Sequence, residues 1–200
     1  MIQYYDNEPF CIIQQEDAGI SIDFLSIIEY IKFIEPKILS STKADSSHNA
    51  EDLSSRFYTW NIFLSQQPAL MQVYELINYG YEKFKQELKF IDQPIWIHSH
   101  GNIHRKGQQL VYHAHKYFIL GYISLSAEGS NTNFYLGENN TKKISIPNKD
   151  GQLVMALGQL PHDTDIWEYD HERCSIAFNL ITESELKMHS AGPCFPFRFK

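Results

Sequence analysis

The sequence predicts an α+β protein in which β structure dominates: a helical layer with one early strand over 1–92, then an antiparallel sandwich or barrel over 93–182. Three observations carry this expectation. Two stretches before residue 90 repeat their apolar residues at helical spacing. After Pro94 the rhythm changes to short β-rich runs at 95–99, 108–113, 116–125, 132–136, 143–147, 151–157 and 173–181. The total of 200 residues, 43% hydrophobic, suits one domain with a sizeable core.

Each element has a local reason. Residues 8–14, Glu-Pro-Phe-Cys-Ile-Ile-Gln, read as an opening strand. The first helix carries apolar residues at 24, 27, 28, 31 and 34; Ser21 or Asp23 caps it and Pro36 is expected to stop it. Residues 40–52 are polar and read as a loop. Pro68 opens the second helix, whose stripe Leu70, Val73, Ile77, Tyr81, Phe84 and Leu88 predicts a core-facing side. Gly101, Gly107, Gly129, Gly137, Asn139-Asn140 and Gly151 punctuate the β-rich part. Residues 183–200 read as an extended tail whose closing aromatics, Phe195, Phe197 and Phe199, pack on the body. No Gly-rich phosphate loop and no internal repeat occur.

Composition excludes several function classes. The formal charge is 17 − 24 = −7, which argues against binding nucleic acid or acidic membranes. No apolar run reaches the roughly 18 residues that a membrane helix needs. The start, Met1-Ile-Gln-Tyr-Tyr-Asp-Asn-Glu, lacks the pattern of a signal peptide. Cys11, Cys174 and Cys194 are odd in number and widely spaced, which fits a reduced, cytoplasmic protein.

The chemistry points to histidine. Of nine histidines, five (His98, His100, His104, His113, His115) fall within one short stretch. In an extended segment His113 and His115 share a face, so their rings converge on one volume. Three ligands on one side of an open site suit non-haem iron. The best third ligand is His162, in Leu160-Pro-His-Asp-Thr-Asp, just past the 151–157 strand. Farther on, Arg173, Ser175, Ala177 and Asn179 alternate with Cys174, Ile176, Phe178 and Leu180. If the first set lines the barrel, Arg173 is a buried cation in need of an anion. A carboxylate fits its guanidinium, with the Ser175 hydroxyl as a second donor. Alternatively, Arg173 sits at a strand edge and pairs with Glu168, Asp170 or Glu172.

Together, His113-Ala-His115, Leu120-Gly-Tyr-Ile-Ser-Leu, Gly151-Gln-Leu-Val-Met-Ala-Leu, Leu160-Pro-His162 and Arg173-Cys-Ser-Ile-Ala-Phe-Asn179 resemble the iron(II)- and 2-oxoglutarate-dependent dioxygenases. The resemblance covers about 95–181 and is strongest to the small oxygenases of bacteria and phages. It implies a double-stranded β-helix, a cupin-like jelly roll, behind an N-terminal helical layer. It implies iron(II) held by His113, His115 and His162, with Arg173 and Ser175 on the distal carboxylate of 2-oxoglutarate and O2 as cosubstrate. His113, His162 and Arg173 would be the catalytic set. Asn102, and Tyr122 among the tyrosines at 112, 117, 122 and 135, are further cosubstrate contacts. Two positions depart from the family pattern: His115 stands where most members have Asp or Glu, and Leu120 where close members often have Ser. A second resemblance is to the cupins, since Gly107 precedes His113-x-His115, although the expected Glu is missing from Lys116-Tyr-Phe-Ile-Leu120. That reading gives a three-histidine dioxygenase or isomerase without 2-oxoglutarate. A non-catalytic jelly-roll binding module is the third.

Trp96, His98 and His100 are candidates for the face that meets the organic substrate, and His98 with His100 is an alternative ligand pair. His104, Arg105 and Lys106 read as a solvated basic turn near the mouth. His48, His171 and His189 read as exposed, and Cys174 as core. The expected substrate is a small molecule or a protein residue, and a homodimer through a sheet edge or the helical layer is open.

Overall fold

The computed structural model describes residues 1–44, 52–188 and 196–200. Two sheets face each other across a cleft, and two helices cover the outer side of the larger one. The strands are β1 (Ile2–Tyr5), β2 (Glu8–Gln14), β3 (Ile95–His104), β4 (Ile119–Ser126), β5 (Asn131–Leu136), β6 (Lys142–Pro147), β7 (Gln152–Leu157), β8 (His162–Thr164), β9 (Arg173–Thr182) and β10 (Phe197–Arg198). The helices are α1 (Phe24–Ser41), α2 (Ala69–Leu88) and the short α3 (Glu183–Met188). The large sheet runs β1-β2-β7-β4-β9-β3-β10, the small one β6-β5-β8, and every pairing is antiparallel. This is the expected double-stranded β-helix behind a helical layer.

Alternation along the strands builds two cores. On β9, Cys174, Ile176, Phe178 and Leu180 join Ile27, Ile31, Val73, Leu76, Ile77 and Phe84 of the helices in one apolar cluster. The α2 stripe is buried as expected, except that Leu88 is only partly covered. Between the sheets a smaller cluster forms from Phe10, Leu120, Tyr122, Phe134, Leu136, Ile146, Val154 and Ala156. Cys174 lies in the helix-facing core as expected, and burial raises its thiol to about 12.

Several elements depart from expectation. β1 was not anticipated; it pairs with β2 through a turn whose Asp6 and Asn7 both have positive φ, 51° and 68°. Asp23 caps α1, accepting from the Ser26 N–H at 3.1 Å. The helix then continues through Pro36 rather than stopping there. Proline removes one N–H donor, but buried Glu35 is gripped by Arg105 and Ile38 and Leu39 pack on the core, so tertiary contacts carry the last turn. Residues 108–113 do not form the expected strand. They run beside β8, with one reciprocal bridge, between His113 and His162. The Thr164 hydroxyl takes the Leu110 N–H, and ladder bonding is thereby interrupted. The expected loop at 40–52 is helical up to Ser41, and its residues 45–51 lie outside the described residues, as do His48, His189, Cys194 and residues 193–195 of the tail. The tail is not extended throughout: Thr182 and Glu185 cap each other reciprocally and start α3 over Glu183–Met188, while farther on Phe199 is buried as expected and β10 pairs with β3.

Candidate metal centre and anion pocket

A cavity of about 540 Å³ opens between the sheets, lined by residues of β3, β4, β8 and β9, the 110–117 segment, and Ser54 and Phe57. The register of the large sheet sets the order of the cleft-facing residues, part of which form the cavity floor. On the β3–β9 pair, His98 lies opposite Asn179, His100 opposite Ala177, Asn102 opposite Ser175 and His104 opposite Arg173. Tyr122 and Ser124 of β4 continue the second and third rows.

His113, His115 and His162 meet at one side of this cavity. Each offers a ring nitrogen, and the three nitrogens lie within 4.8 Å of one another. The convergence expected of His113 and His115 is therefore present, although neither sits in a regular strand. His162 follows β7 as expected and also opens β8, where its bridge to His113 brings the two backbones together. Its ring stacks on that of His115, with centroids 5.1 Å apart and planes inclined by 25°.

The far side of each ring is anchored. His113 Nδ1 lies 2.8 Å from the Val111 carbonyl, His162 Nδ1 3.0 Å from the Leu160 carbonyl, and His115 Nδ1 2.6 Å from Asn179 Oδ1. Carbonyl oxygens only accept, so each Nδ1 carries the hydrogen and each Nε2 the lone pair. His113 Nε2 and His115 Nε2 then stand 2.9 Å apart. Two neutral lone pairs at that distance repel, and a shared cation or proton removes the repulsion. Anchored Nδ1–H groups with converging Nε2 atoms are the arrangement of imidazoles that hold a metal.

Arg173 lies deeper in the same cavity and is 3% exposed. Its Nε donates to Ser130 Oγ at 3.4 Å and its Nη1 to His104 Nδ1 at 3.1 Å. No carboxylate pairs with it among the described residues. The acids that might have done so are otherwise placed: Glu172 meets Lys32 and Arg105, and Asp170 meets Lys106. Burial pulls the guanidinium below its usual range. Around it, Tyr122 Oη, Asn102 Oδ1 and Ser124 Oγ are buried without a hydrogen-bond partner of good geometry among the described residues. Ser175 lines the same recess. Burial raises the Tyr122 phenol, with Thr132 and Arg173 acting in the opposite sense.

His104 corrects an expectation. It is not part of a solvated turn but ends β3, 1% exposed, against Arg173. A guanidinium only donates, so His104 Nδ1 accepts and its hydrogen sits on Nε2, 3.9 Å from Asp52 Oδ2. Burial first, then Arg173, holds its pKa down to about 3, so the ring is neutral and makes no ion pair with Asp52. Of the expected substrate-face residues, only His100 lines the cavity. His98 is buried away from it and donates Nε2–H to the Trp60 carbonyl at 3.1 Å. Trp96 stacks under the Arg198 guanidinium, 4.9 Å away. His98 and His100 do not converge with a third metal-binding group among the described residues. His171 is exposed as expected.

Asn179 is the residue that sequence reasoning placed on the right face without giving it a role. The available signal was its parity with Arg173 and Ser175; its partner His115 is distant in sequence.

No family model matches the chain, and no curated protein matches it. Solved structures do. The chain is similar to the non-heme alpha ketoglutarate-dependent epimerase SnoN from nogalamycin biosynthesis, with a TM-score of 0.57, 8% identity, and 88% of this chain and 77% of that chain covered. It is similar to HygX from Streptomyces hygroscopicus with iron bound, at a TM-score of 0.55 and 10% identity over 90% of this chain and 84% of that one. The HygX structure holding nickel and 2-oxoglutarate also gives 0.55, at 11% identity over 89% and 84%. At such identities the likeness shows the fold alone, a cupin-like double-stranded β-helix. No helix among the described residues is long and apolar enough to cross a membrane.

Proposed function

We propose that the protein is an iron(II)- and 2-oxoglutarate-dependent oxygenase that hydroxylates a small molecule or a protein residue, with His113, His115 and His162 as the metal ligands. The observation that carries this reading is the pairing, in one cavity, of three converging imidazoles with a buried guanidinium that no acid among the described residues neutralises. The donor set fits a divalent transition metal: neutral imidazole suits iron, and three ligands on one side leave positions open to the cavity. The recess fits a carboxylate, because Arg173 supplies fixed donors and Tyr122, Ser175 and Asn102 stand around it.

Iron(II) bound there supplies the oxidising chemistry: O2 is consumed, one oxygen atom goes to the substrate, and the other goes to succinate as 2-oxoglutarate loses CO2. The chain's own work is positional. Arg173 and Ser175 would hold one end of the cosubstrate, and the three rings would hold the metal. His104 accepts from Arg173 and so limits the directions in which the guanidinium points. Ser54 and Phe57 wall the cavity, Phe57 beside His100 with ring centroids 5.9 Å apart, and add apolar surface to it. Three neutral ligands cancel none of the metal's charge, which leaves an anionic cosubstrate to balance it.

Anaerobic titration of the metal-stripped protein with iron(II) and 2-oxoglutarate tests this, for wild type and Arg173→Ala. The expected result is a visible charge-transfer band in wild type that is lost or much weakened in the variant. Iron binding with no response to 2-oxoglutarate would favour the three-histidine dioxygenase reading, which has no use for Arg173. No iron binding would leave a non-catalytic jelly roll.

A further inference from the structure

We infer that Asn179 is a positioning residue for the metal centre, and that its side-chain carbonyl is what makes His115 usable as a ligand. The inference rests on the functional reading above and extends it to a residue outside the ligand set.

The argument begins with the kind of group at position 115. A carboxylate ligand carries acceptor oxygens only, so a supporting neighbour must donate. An imidazole ligand uses Nε2 for the metal and presents Nδ1–H behind it, so its supporting neighbour must accept. His113 and His162 find that acceptor two residues back in their own backbone, at Val111 and Leu160. His115 uses a side chain from another strand instead: Asn179 Oδ1 of β9, at 2.6 Å. This contact ties the 113–117 segment to the large sheet and turns His115 Nε2 toward His113 Nε2. Without it the ring can rotate or take the other tautomer, and the third nitrogen leaves the site.

The setting of Asn179 supports a role beyond packing. The residue is fully buried, yet its Nδ2 has no hydrogen-bond partner among the described residues. A buried amide satisfied on one side only is costly to folding, and an apolar residue of similar volume would be cheaper. The one polar contact shown for its side chain is the one to His115. The neighbouring position of the same register row, Leu120, is apolar.

The test compares Asn179→Leu and Asn179→Asp, each alone and with His115→Ala, by cobalt(II) titration of the metal-stripped protein and by its thermal midpoint without metal. Asn179→Leu is expected to weaken cobalt(II) binding about 10–100-fold, the usual consequence of losing a residue that orients a ligand. Its metal-free midpoint is expected to equal or exceed that of wild type. Asn179→Asp keeps the acceptor and is expected to bind as wild type does. In the His115→Ala background Asn179→Leu is expected to cost no further affinity, since the ring it orients is gone. An equal loss in both backgrounds, or a loss in Asn179→Leu matched by Asn179→Asp, overturns the inference while leaving the metal centre standing. Failure of wild type to bind cobalt(II) overturns the functional reading, and this inference with it.

Discussion

The two faces of β9 belong to different environments. Its even-numbered residues, Cys174 to Leu180, are apolar and close against the helices. Its odd-numbered residues, Arg173, Ser175, Ala177 and Asn179, face the cleft, where a guanidinium and an amide are buried at a cost to stability. β3 repeats the contrast: Ile95, Ile97 and Ile103 on the helical side, His98, His100, Asn102 and His104 on the other. One face of the sheet holds the fold together, and the other carries groups that the fold would be more stable without. The helices supply the compensation, by burying enough apolar surface to offset the cleft.

The comparison can be broken first on the apolar side. Leu180→Ala empties a fully buried site beside the helices and is expected to cost about 2–5 kcal/mol in chemical denaturation, while the folded fraction keeps its metal affinity. An intact stability would show that the helical face is not the main support. On the cleft side the signs reverse. Arg173→Met removes a buried cation, so the metal-free protein should gain about 1–4 kcal/mol as it loses 2-oxoglutarate binding. A destabilised variant would mean that Arg173 is structural.

Acid sharpens the contrast. Burial depresses His98 to about 4 and His104 to about 3, both on the cleft side of β3. Their unfolded values lie near 6.5, so the unfolded chain takes up protons first. The stability they contribute is complete above that pH and is lost as the pH falls through 6.5 toward 4 and 3. A thermal midpoint that declines over this range in wild type and less steeply in His98→Gln is the expected result; identical profiles would remove His98 from the account. The smallest effect belongs outside both faces. Tyr135 donates to Asp163 at 2.6 Å on the outer side of the small sheet, and Tyr135→Phe should change stability by less than about 1 kcal/mol and leave binding untouched.

Local pattern made much of this legible. The α2 stripe up to Phe84, the alternation along β9 and the convergence of His113 and His115 are properties of short segments and came out as read, although the two histidines stand outside any regular strand. Arg173 was legible too, because its face follows from parity once one neighbour is known to be core. What escaped depends on partners remote in sequence. Pro36 reads as a stop, yet the Glu35–Arg105 contact keeps α1 helical beyond it. His104 reads as part of a basic turn, since nothing local reveals that β3 extends to it and lays it against Arg173. Trp96 and His98 share the parity of His100, but the 52–65 segment and Arg198 cover that part of the face.

By itself, then, the sequence determined the class of fold, the face on which each strand residue lies, and three of the groups that converge. Those follow from periodicity, a local steric property of the chain. The tertiary structure decided which of those groups share one cavity, which nitrogen of each imidazole faces it, and that Arg173 has no acid beside it among the described residues. Those depend on hydrogen bonds and burial between residues far apart in the chain, such as His115 with Asn179 and His113 with His162, and only the packed sheets bring such residues together.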